Sequence, residues 1–201
     1  MLNDQCSIEP SSFGLVNVKD VRYTNVMNVN DINDALAHGK LDAPGLFPHL
    51  EDLAASPFVF PIDFGLPGLP EEPGILLIRG ARQFGKSTWL EGALRETLRA
   101  HGPGTAFYLN GDELANARDL AEAVRALAAS LSAGSRIRRI FIDEITSIQD
   151  WEGALKRLAD AGELRSILVV TTGSKAVDLR RGAERLPGRK GRLTRTNYLF
   201  T

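Results

Sequence analysis

The motif at residues 80–87 restricts the fold of this chain more than any other feature of its 201 residues. It reads GARQFGKS and matches the pattern G-x-x-x-x-G-K-[ST] at every fixed position. An aliphatic run at residues 75–78 precedes it and is typical of a buried strand. Residues 86–100 follow, with leucines four residues apart, as in an amphipathic helix. The motif therefore predicts a strand, a glycine-rich turn and a helix in direct succession.

This succession is the arrangement that binds phosphate groups. The two glycines let the backbone curl so that successive N–H groups point at phosphate oxygens, and the following helix adds the partial positive charge of its N-terminus. Lys86 is expected to reach the β and γ phosphates, Ser87 to bind Mg²⁺ through its hydroxyl, and Thr88 to lie near the α phosphate. The predicted nucleotide-binding residues are Gly80, Ala81, Arg82, Gln83, Phe84, Gly85, Lys86, Ser87 and Thr88.

A pair of carboxylates ends a second apolar segment about 60 residues after the motif. Residues 139–142 read RIFI and predict a strand, and Asp143 and Glu144 follow it directly. Asp143 is predicted to hold Mg²⁺, because hard cations prefer oxygen ligands. Glu144 is predicted to act as the general base for an attacking water. Surface charge at a strand end is the alternative, and the upstream phosphate loop argues against it.

The residues around the acidic pair favour ATP over GTP as the nucleotide. A GTPase is expected to carry an Asp-x-x-Gly turn, and Asp143 is followed at the third position by Thr146 instead of glycine. Residues 174–178, SKAVD, are one residue too long for an Asn-Lys-x-Asp guanine motif. We therefore expect ATP and Mg²⁺ as the ligands.

The hydrophobic pattern predicts an α/β fold. Strands alternate with helices, which implies βαβ units, a parallel sheet and right-handed crossovers. The expected architecture is a P-loop NTPase three-layer αβα sandwich of the additional-strand type, with about five strands. The strands are predicted at residues 75–78, 106–109, 139–142, 167–171 and 198–201, and the helices at 86–100, 116–131 and 151–161.

The first 72 residues differ from the remainder. Two short helices are predicted, one capped by Asp31 and ending at His38, the other near residues 46–55. Five prolines between residues 57 and 73 then indicate a linker or extended strap. We expect residues 1–72 to form an N-terminal extension with this proline-rich strap, and residues 73–201 to form the ATPase core.

Composition restricts the setting of the protein. A single cysteine, Cys6, excludes an intramolecular disulfide and fits a reducing compartment. Neither a secretory signal nor an apolar run of bilayer length is present, so the expected location is the cytoplasm, with no membrane contact. Residues 175–201 hold 8 Lys+Arg and 2 Asp+Glu. Such a basic tail is compatible with nucleic acid binding, but no helix-turn-helix or zinc pattern supports it.

Three segments together resemble the AAA-type P-loop ATPases of bacteria and archaea that usually carry an uncharacterised C-terminal domain. They read LLIRGARQFGKSTWL, FIDEITSIQDWEGALKRLAD and ILVVTTGSKAVDL, the last followed by LPGRKGR. The resemblance covers about residues 73–195 and implies an AAA-like sheet. It also implies that ATP hydrolysis drives a conformational change. Members of this family continue further than Thr201, so the resemblance predicts that the core is incomplete at its C-terminus.

The resemblance implies roles for further residues. Thr172 and Ser174 resemble the polar sensor of the γ phosphate, and Ser174 is the better candidate. Arg189 and Arg192 resemble arginines that neutralise charge on the transferred phosphoryl group, from the same chain or from a neighbour, which hints at self-association. Trp151 is interpreted as a packing residue. A turn around Gly173 and a solvated basic loop are the alternatives for the sensor and the arginines.

Other functions remain open from the sequence. A nucleotide-dependent switch with negligible turnover uses the same binding residues, although Glu144 argues for hydrolysis. A small-molecule P-loop kinase needs an acceptor pocket and an arginine-rich lid, for which the arginines at 180–195 are candidates. A DNA-binding module using the basic tail predicts salt-dependent binding that tolerates substitution of Lys86.

Overall fold

The computed structural model describes residues 27–59, 64–174 and 191–200 of the chain. The helices are α1 (Val29–Ala37), α2 (Pro48–Ala54), α3 (Lys86–His101), α4 (Ala117–Ser130) and α5 (Trp151–Asp160). The strands are β1 (Gly74–Gly80), β2 (Ala106–Asn110), β3 (Arg139–Asp143), β4 (Leu168–Gly173) and β5 (Asn197–Phe200). Within the described ranges, no helix has the length and apolar character needed to cross a membrane.

The five strands form one parallel sheet in the order β2-β3-β4-β1-β5. The chain moves from β1 to the far edge at β2 and then returns through β3 and β4. Because crossovers between parallel strands are right-handed, α3 covers one face and α4 and α5 cover the other. The predicted three-layer P-loop fold with a five-stranded parallel sheet is confirmed.

The core explains why these segments are strands. Leu76, Ile78, Ile140, Phe141 and Val170 have no more than marginal solvent contact, as expected for strands that are covered on both faces. Burial of each such side chain is worth about 1.5–3 kcal/mol. On α5, the side chains of Trp151, Leu155 and Leu158 are buried against the same core. The packing role of Trp151 follows from this burial.

Strand β1 is longer than its aliphatic run. The sequence predicts residues 75–78, but the strand runs from Gly74 to Gly80. Arg79 still pairs with Gly173 of β4, and Gly80 pairs with Phe200 of β5. Backbone pairing with two neighbours thus extends the strand to the first residue of the phosphate motif. Strand β5 lies one residue earlier than predicted, and Thr201 lies outside the described residues.

Helix α1 begins earlier than predicted. Its N-cap is Asn28, whose side chain accepts a hydrogen bond from the Asp31 backbone N–H, so the expected cap at Asp31 is wrong. The Asn33 side chain donates to the Tyr108 carbonyl and accepts from its N–H, both at 2.8 Å. Tyr108 lies on β2, which is an edge strand. Asn33 therefore satisfies backbone groups that an open edge would expose.

Helix α2 packs against α3 through one buried carboxylate. Glu91 of α3 is 7% exposed and accepts from the His49 ring at 2.6 Å and from the Leu50 backbone N–H at 3.1 Å. Both donors lie in the first turn of α2, where a carboxylate also benefits from the helix dipole. The contact joins the N-terminal segment to the helix that follows the phosphate motif.

The His49–Glu91 contact is expected to make stability depend on pH. Hydrogen bonding to Glu91 raises the pKa of His49, burial opposes this, and the charges of Glu91, Asp143 and Asp52 raise it further. The stabilisation is therefore complete below the unfolded pKa of about 6.5 and is lost as pH rises through the higher folded pKa. Melting temperatures of the wild type and His49→Gln between pH 5.5 and 8.5 should differ most at acidic pH. Parallel curves would contradict this coupling.

Candidate nucleotide-binding site

The phosphate motif forms a tight loop between β1 and α3. Gln83 and Gly85 adopt left-handed backbone conformations, with φ of 62° and 86°. Alternating backbone conformations of this kind turn successive N–H groups toward one concave surface, which suits an anion. Gly85 is also the N-cap of α3, so the helix begins directly under the loop. The sequence predicted this strand, turn and helix in the same order.

Lys86 lies inside this loop. Its side chain is 3% exposed, and its ammonium donates to the Ala81 carbonyl at 2.7 Å. An ammonium has three N–H donors, so two remain for phosphate oxygens beside this contact. A lysine in a solvated turn would extend into water. The burial of Lys86 therefore argues against an ordinary glycine-rich turn with a solvated lysine.

The other motif residues differ in exposure. Ala81, Arg82, Gln83 and Phe84 are exposed, and Phe84 is the largest apolar side chain among them at 52%. Ser87 and Thr88 lie half-buried in the first turn of α3. Gly80 is buried, and a Cβ added there would lie 2.6 Å from the Phe200 carbonyl oxygen. Glycine at this position is thus also required by the pairing of β1 with β5.

Asp143 ends β3 at the same edge of the sheet as the phosphate loop. The carboxylate is 6% exposed. Its Oδ1 accepts from the Thr172 hydroxyl and, at 3.0 Å, from the Glu144 backbone N–H. Strand β4 lies between β1 and β3, so the hydroxyl of Thr172 comes from the strand that separates the loop from the acidic pair.

Glu144 occupies a left-handed conformation, with φ of 43°. Its carboxylate Oε2 accepts from the hydroxyl of Ser174 at 3.1 Å and from the backbone N–H of Ser174 at 3.3 Å. The two hydroxyl residues considered as sensors thus serve different carboxylates, since Thr172 contacts Asp143 and Ser174 contacts Glu144. Ser174 immediately follows β4, at the carboxyl edge where the sequence predicted a polar side chain.

The segment after β2 approaches the acidic pair closely. Asn110 of β2 is the register partner of Asp143. A Cβ added to Gly111 would lie 2.5 Å from the Glu144 carbonyl oxygen and 3.0 Å from that of Asp143. The Ser147 hydroxyl also hydrogen-bonds Asp112, which joins the turn after β2 to the turn after β3. Glycine at 111 permits this close approach.

Of the two predicted arginines, Arg192 is described, and it does not lie at the loop. Arg189 lies outside the described residues. Arg192 is exposed and follows Gly191, whose position is in tight contact with Pro73 at the amino end of β1. Strand β1 has seven residues, which separates this end from the loop by about 20 Å. Arg192 therefore cannot reach phosphates bound in its own chain from this position.

The donor set fits Mg-ATP. The loop offers backbone N–H groups and the Lys86 ammonium to phosphates, and the Ser87 hydroxyl with Asp143 Oδ2 offers hard oxygen ligands. Among the described residues, no group of three His, Cys, Asp or Glu could hold a metal alone. Mg²⁺ commonly binds through one or two carboxylates together with substrate phosphates, so this small set is sufficient.

Carboxylates make this edge of the sheet electronegative. Burial raises the pKa of Tyr108, and the charges of Asp143 and Glu91 raise it further. The charge of Asp143 also contributes to the raised pKa of His49. The negative charge of Asp143 thus raises the pKa of both Tyr108 and His49. A cation bound at Asp143 would neutralise this charge.

A family model described as an AAA domain matches residues 72–200. The chain belongs to the AAA domain family. The predicted AAA-type P-loop ATPase family is therefore confirmed, and the matched residues include the loop at residues 80–87. No match to this AAA domain is found among curated proteins.

Several solved structures resemble this AAA domain at low identity. The Orc1 protein of Aeropyrum pernix in complex with DNA is 16% identical, with a TM-score of 0.49 over 92% of this chain and 48% of that chain. Cdc6p of Pyrobaculum aerophilum is 15% identical, with a TM-score of 0.46 over 75% and 49%. C. elegans PCH-2 is 12% identical, with a TM-score of 0.40 over 87% and 44%. This chain thus spans about half the length of these proteins or less.

Sequence reasoning missed three features of the site. The contact of Thr172 with Asp143, the close approach of Gly111 and the docking of α2 on Glu91 all join residues that are distant in sequence. The motif patterns fix residues within one segment and give no such pairings. An Asn-Gly pair after a predicted strand indicates a turn, but not the carbonyls that the turn will contact.

Gly111→Ala is expected to destabilise the protein by about 1–3 kcal/mol, because the new methyl group overlaps backbone atoms that side-chain motion cannot displace. Gly134→Ala is the matched control, since a Cβ there meets no atom within 4 Å. Urea unfolding of both variants measures the difference. Equal stability of the two variants would contradict the close approach of Gly111 to Glu144.

Proposed function

We propose that this chain binds Mg-ATP at residues 80–88, hydrolyses it and couples hydrolysis to a conformational change. The observation that carries the proposal is the shared sheet edge. The loop with its buried Lys86 follows β1, and Asp143 and Glu144 end or follow β3, with β4 alone between these strands. Strands spaced about 4.8 Å apart bring the two groups within the span of a triphosphate.

The residues of the loop would bind and orient the triphosphate. Backbone N–H groups between Gly80 and Gly85 would bind the phosphate oxygens, Lys86 the β and γ phosphates, and Thr88 the region of the α phosphate. The Ser87 hydroxyl and Asp143 would hold Mg²⁺. When bound, this ion would neutralise charge on the β and γ oxygens.

Glu144 would act as the general base. Its carboxylate would accept the proton of a water that attacks the γ phosphorus, while the bond from that phosphorus to the β–γ bridging oxygen breaks. Ser174 would hold the carboxylate of Glu144 and contact the γ phosphate or the water. Arg192 would act from a neighbouring chain, because it lies at the opposite end of β1, and this role requires self-association. Arg189 would act from the same chain or from a neighbour.

The division of the chain follows from the same proposal. Residues 73–201 would form the ATPase core and residues 1–72 the N-terminal extension with its strap. The extension would contact the core through α2, because Glu91 of α3 accepts hydrogen bonds from the first turn of that helix. Cytoplasmic location remains part of the proposal. Nucleic acid as a partner has no motif to support it.

One observation favours a switch with negligible turnover as the second candidate function. Ser174 donates both its hydroxyl and its N–H to Glu144 Oε2. A carboxylate that keeps these bonds stays turned toward Ser174 and would not be free to accept the proton of an attacking water. In this alternative the nucleotide would bind and change the conformation without rapid hydrolysis.

Substitution of Lys86 tests nucleotide binding. Calorimetric titration should give saturable binding of Mg-ATP to the wild type and much weaker binding of Mg-GTP. Lys86→Ala should weaken ATP binding by about 10- to 100-fold, because charge-assisted hydrogen bonds are lost. Lys156→Ala, at an exposed position of α5, is the control and should bind as the wild type does. Equal affinities of the two variants would refute the assignment of the loop.

Substitution of Glu144 tests turnover separately. Glu144→Gln should reduce phosphate release by about 100-fold or more and leave the ATP affinity unchanged, since only the proton acceptor is removed. Glu122→Gln, at an exposed position of α4, controls for the loss of one carboxylate. Ser174→Ala separates the two candidate functions. A fall in turnover supports the ATPase, whereas a rise from a negligible wild-type rate supports the switch.

A further inference from the structure

Two consecutive threonines of β4 are fully buried but have different partners. Thr171 and Thr172 are each 0% exposed. Successive strand residues point to opposite faces of the sheet. The Thr171 hydroxyl donates to the carbonyl of Leu76 at 3.2 Å, a backbone group of β1. The Thr172 hydroxyl donates to Oδ1 of Asp143 and accepts from the Glu144 backbone N–H at 3.1 Å.

The hydroxyl of Thr172 therefore joins both acidic residues. It uses its single proton on Asp143 and a lone pair on the N–H of Glu144. The Glu144 N–H also donates to Asp143 Oδ1 at 3.0 Å. The Thr172 hydroxyl, the Asp143 carboxylate and the Glu144 N–H are therefore all hydrogen-bonded to one another. Oδ1 of Asp143 is thereby occupied by two donors, and Oδ2 is the oxygen left to face a cation.

Each of these bonds fixes a geometry that is otherwise free. The torsion that orients an aspartate carboxylate is broad, so the position of Oδ2 depends on what holds Oδ1. Glu144 has a backbone φ of 43°. Residues other than glycine rarely adopt such a value unless the surrounding structure holds them in it. The bond from Glu144 N–H to Thr172 supplies such support and sets the direction in which the Glu144 side chain leaves the backbone.

We propose that Thr172 is a positioning residue that orients Asp143 toward Mg²⁺ and fixes the backbone turn that aims Glu144. This inference rests on the proposed ATPase function and names a residue that supports it without contacting nucleotide. The resemblance to other ATPases implied a sensor of the γ phosphate at Thr172 or Ser174. Thr172 is fully buried and its hydroxyl is already bonded on both sides, so it acts through Asp143 and Glu144.

Three variants test the role of Thr172. Thr172→Val keeps the shape and removes the hydroxyl, Thr172→Ser keeps the hydroxyl, and Thr171→Val removes an equally buried hydroxyl on the opposite face. ATP binding is titrated by calorimetry in EDTA and then at increasing Mg²⁺ concentrations, with phosphate release measured in parallel. Circular dichroism melting checks that each variant is folded. Binding in EDTA is expected to remain within about twofold of wild type, because the loop residues are untouched and share no side-chain partner with Thr172.

Thr172→Val is expected to raise the half-saturating Mg²⁺ concentration by about 10-fold and to lower turnover, in line with the loss of a residue that orients a metal ligand. Thr172→Ser and Thr171→Val should resemble the wild type in both measurements. A merely structural role for Thr172 would lower the melting temperature without changing the Mg²⁺ requirement. The Mg²⁺ titration therefore distinguishes a role of Thr172 in orienting Asp143 from a role in the stability of the fold.

The outcomes separate this inference from the proposed function. If the wild type binds no ATP, both are overturned. If the wild type binds ATP and Thr172→Val has the Mg²⁺ requirement of Thr171→Val, only the inference on Thr172 is overturned. If Thr172→Ser is as impaired as Thr172→Val, the hydroxyl is not responsible and the inference is likewise overturned.

Discussion

The parallel pairing of β4 with both β1 and β3 is the constraint on which the rest of the structure depends. It aligns the carboxyl ends of three strands, so that the phosphate loop, the hydroxyl residues and the acidic pair meet at one edge. A slip of one residue in β3 would turn Asp143 to the opposite face of the sheet. Such a slip would break the buried hydrogen bonds of Asp143 with Thr172 and of Arg139 with Thr97, and these bonds therefore hold β3 in register.

The site keeps conformations and charges that the core alone would not favour. Gln83 and Glu144 have positive φ, and Lys86 and Asp143 are charged and almost fully buried. Left-handed residues cost about 1–3 kcal/mol each, and buried charges cost more unless they are hydrogen-bonded. The Ala81 carbonyl, the Thr172 hydroxyl and the Ser174 donors provide these bonds from the same edge. Two of the three non-glycine residues with positive φ in the described part of the chain thus lie at this edge, and the aliphatic core offsets their cost.

The sequence was sufficient for the fold and for the loop, because those rest on local patterns. The aliphatic runs, the leucine spacing and the GxxxxGK[ST] motif each act within about 15 residues, and the strands and helices of the core appear where they predict. The observed ends of strands differ from the predicted ones where pairing with a distant strand decides them. At Gly80, for example, pairing with β5 extends β1 beyond its aliphatic run. The cap of α1 moved to Asn28, because two asparagine or aspartate residues in the same turn compete for one position.

Long-range pairings lay beyond what local patterns can predict. Thr172 and Asp143 are 29 residues apart, and His49 and Glu91 are 42 apart. The residue types alone permit many partners for a threonine or a histidine, and only the assembled sheet selects one. Local patterns also fail for Arg192. Resemblance to a family connects this residue with phosphate, but the chain topology puts it at the amino end of β1, away from the loop.

Helix α3 connects the two parts of the chain that sequence patterns treat as separate. Ser87 and Glu91 are four residues apart and thus lie on one side of the helix, one turn from each other. Ser87 belongs to the phosphate loop, and Glu91 binds the first turn of α2. The two bonds hold α2 on α3, because they supply both donors to a carboxylate that is almost fully buried between the helices. Helix α2 therefore packs directly on the helix that begins at the phosphate loop, and its two donors bind one helical turn from Ser87.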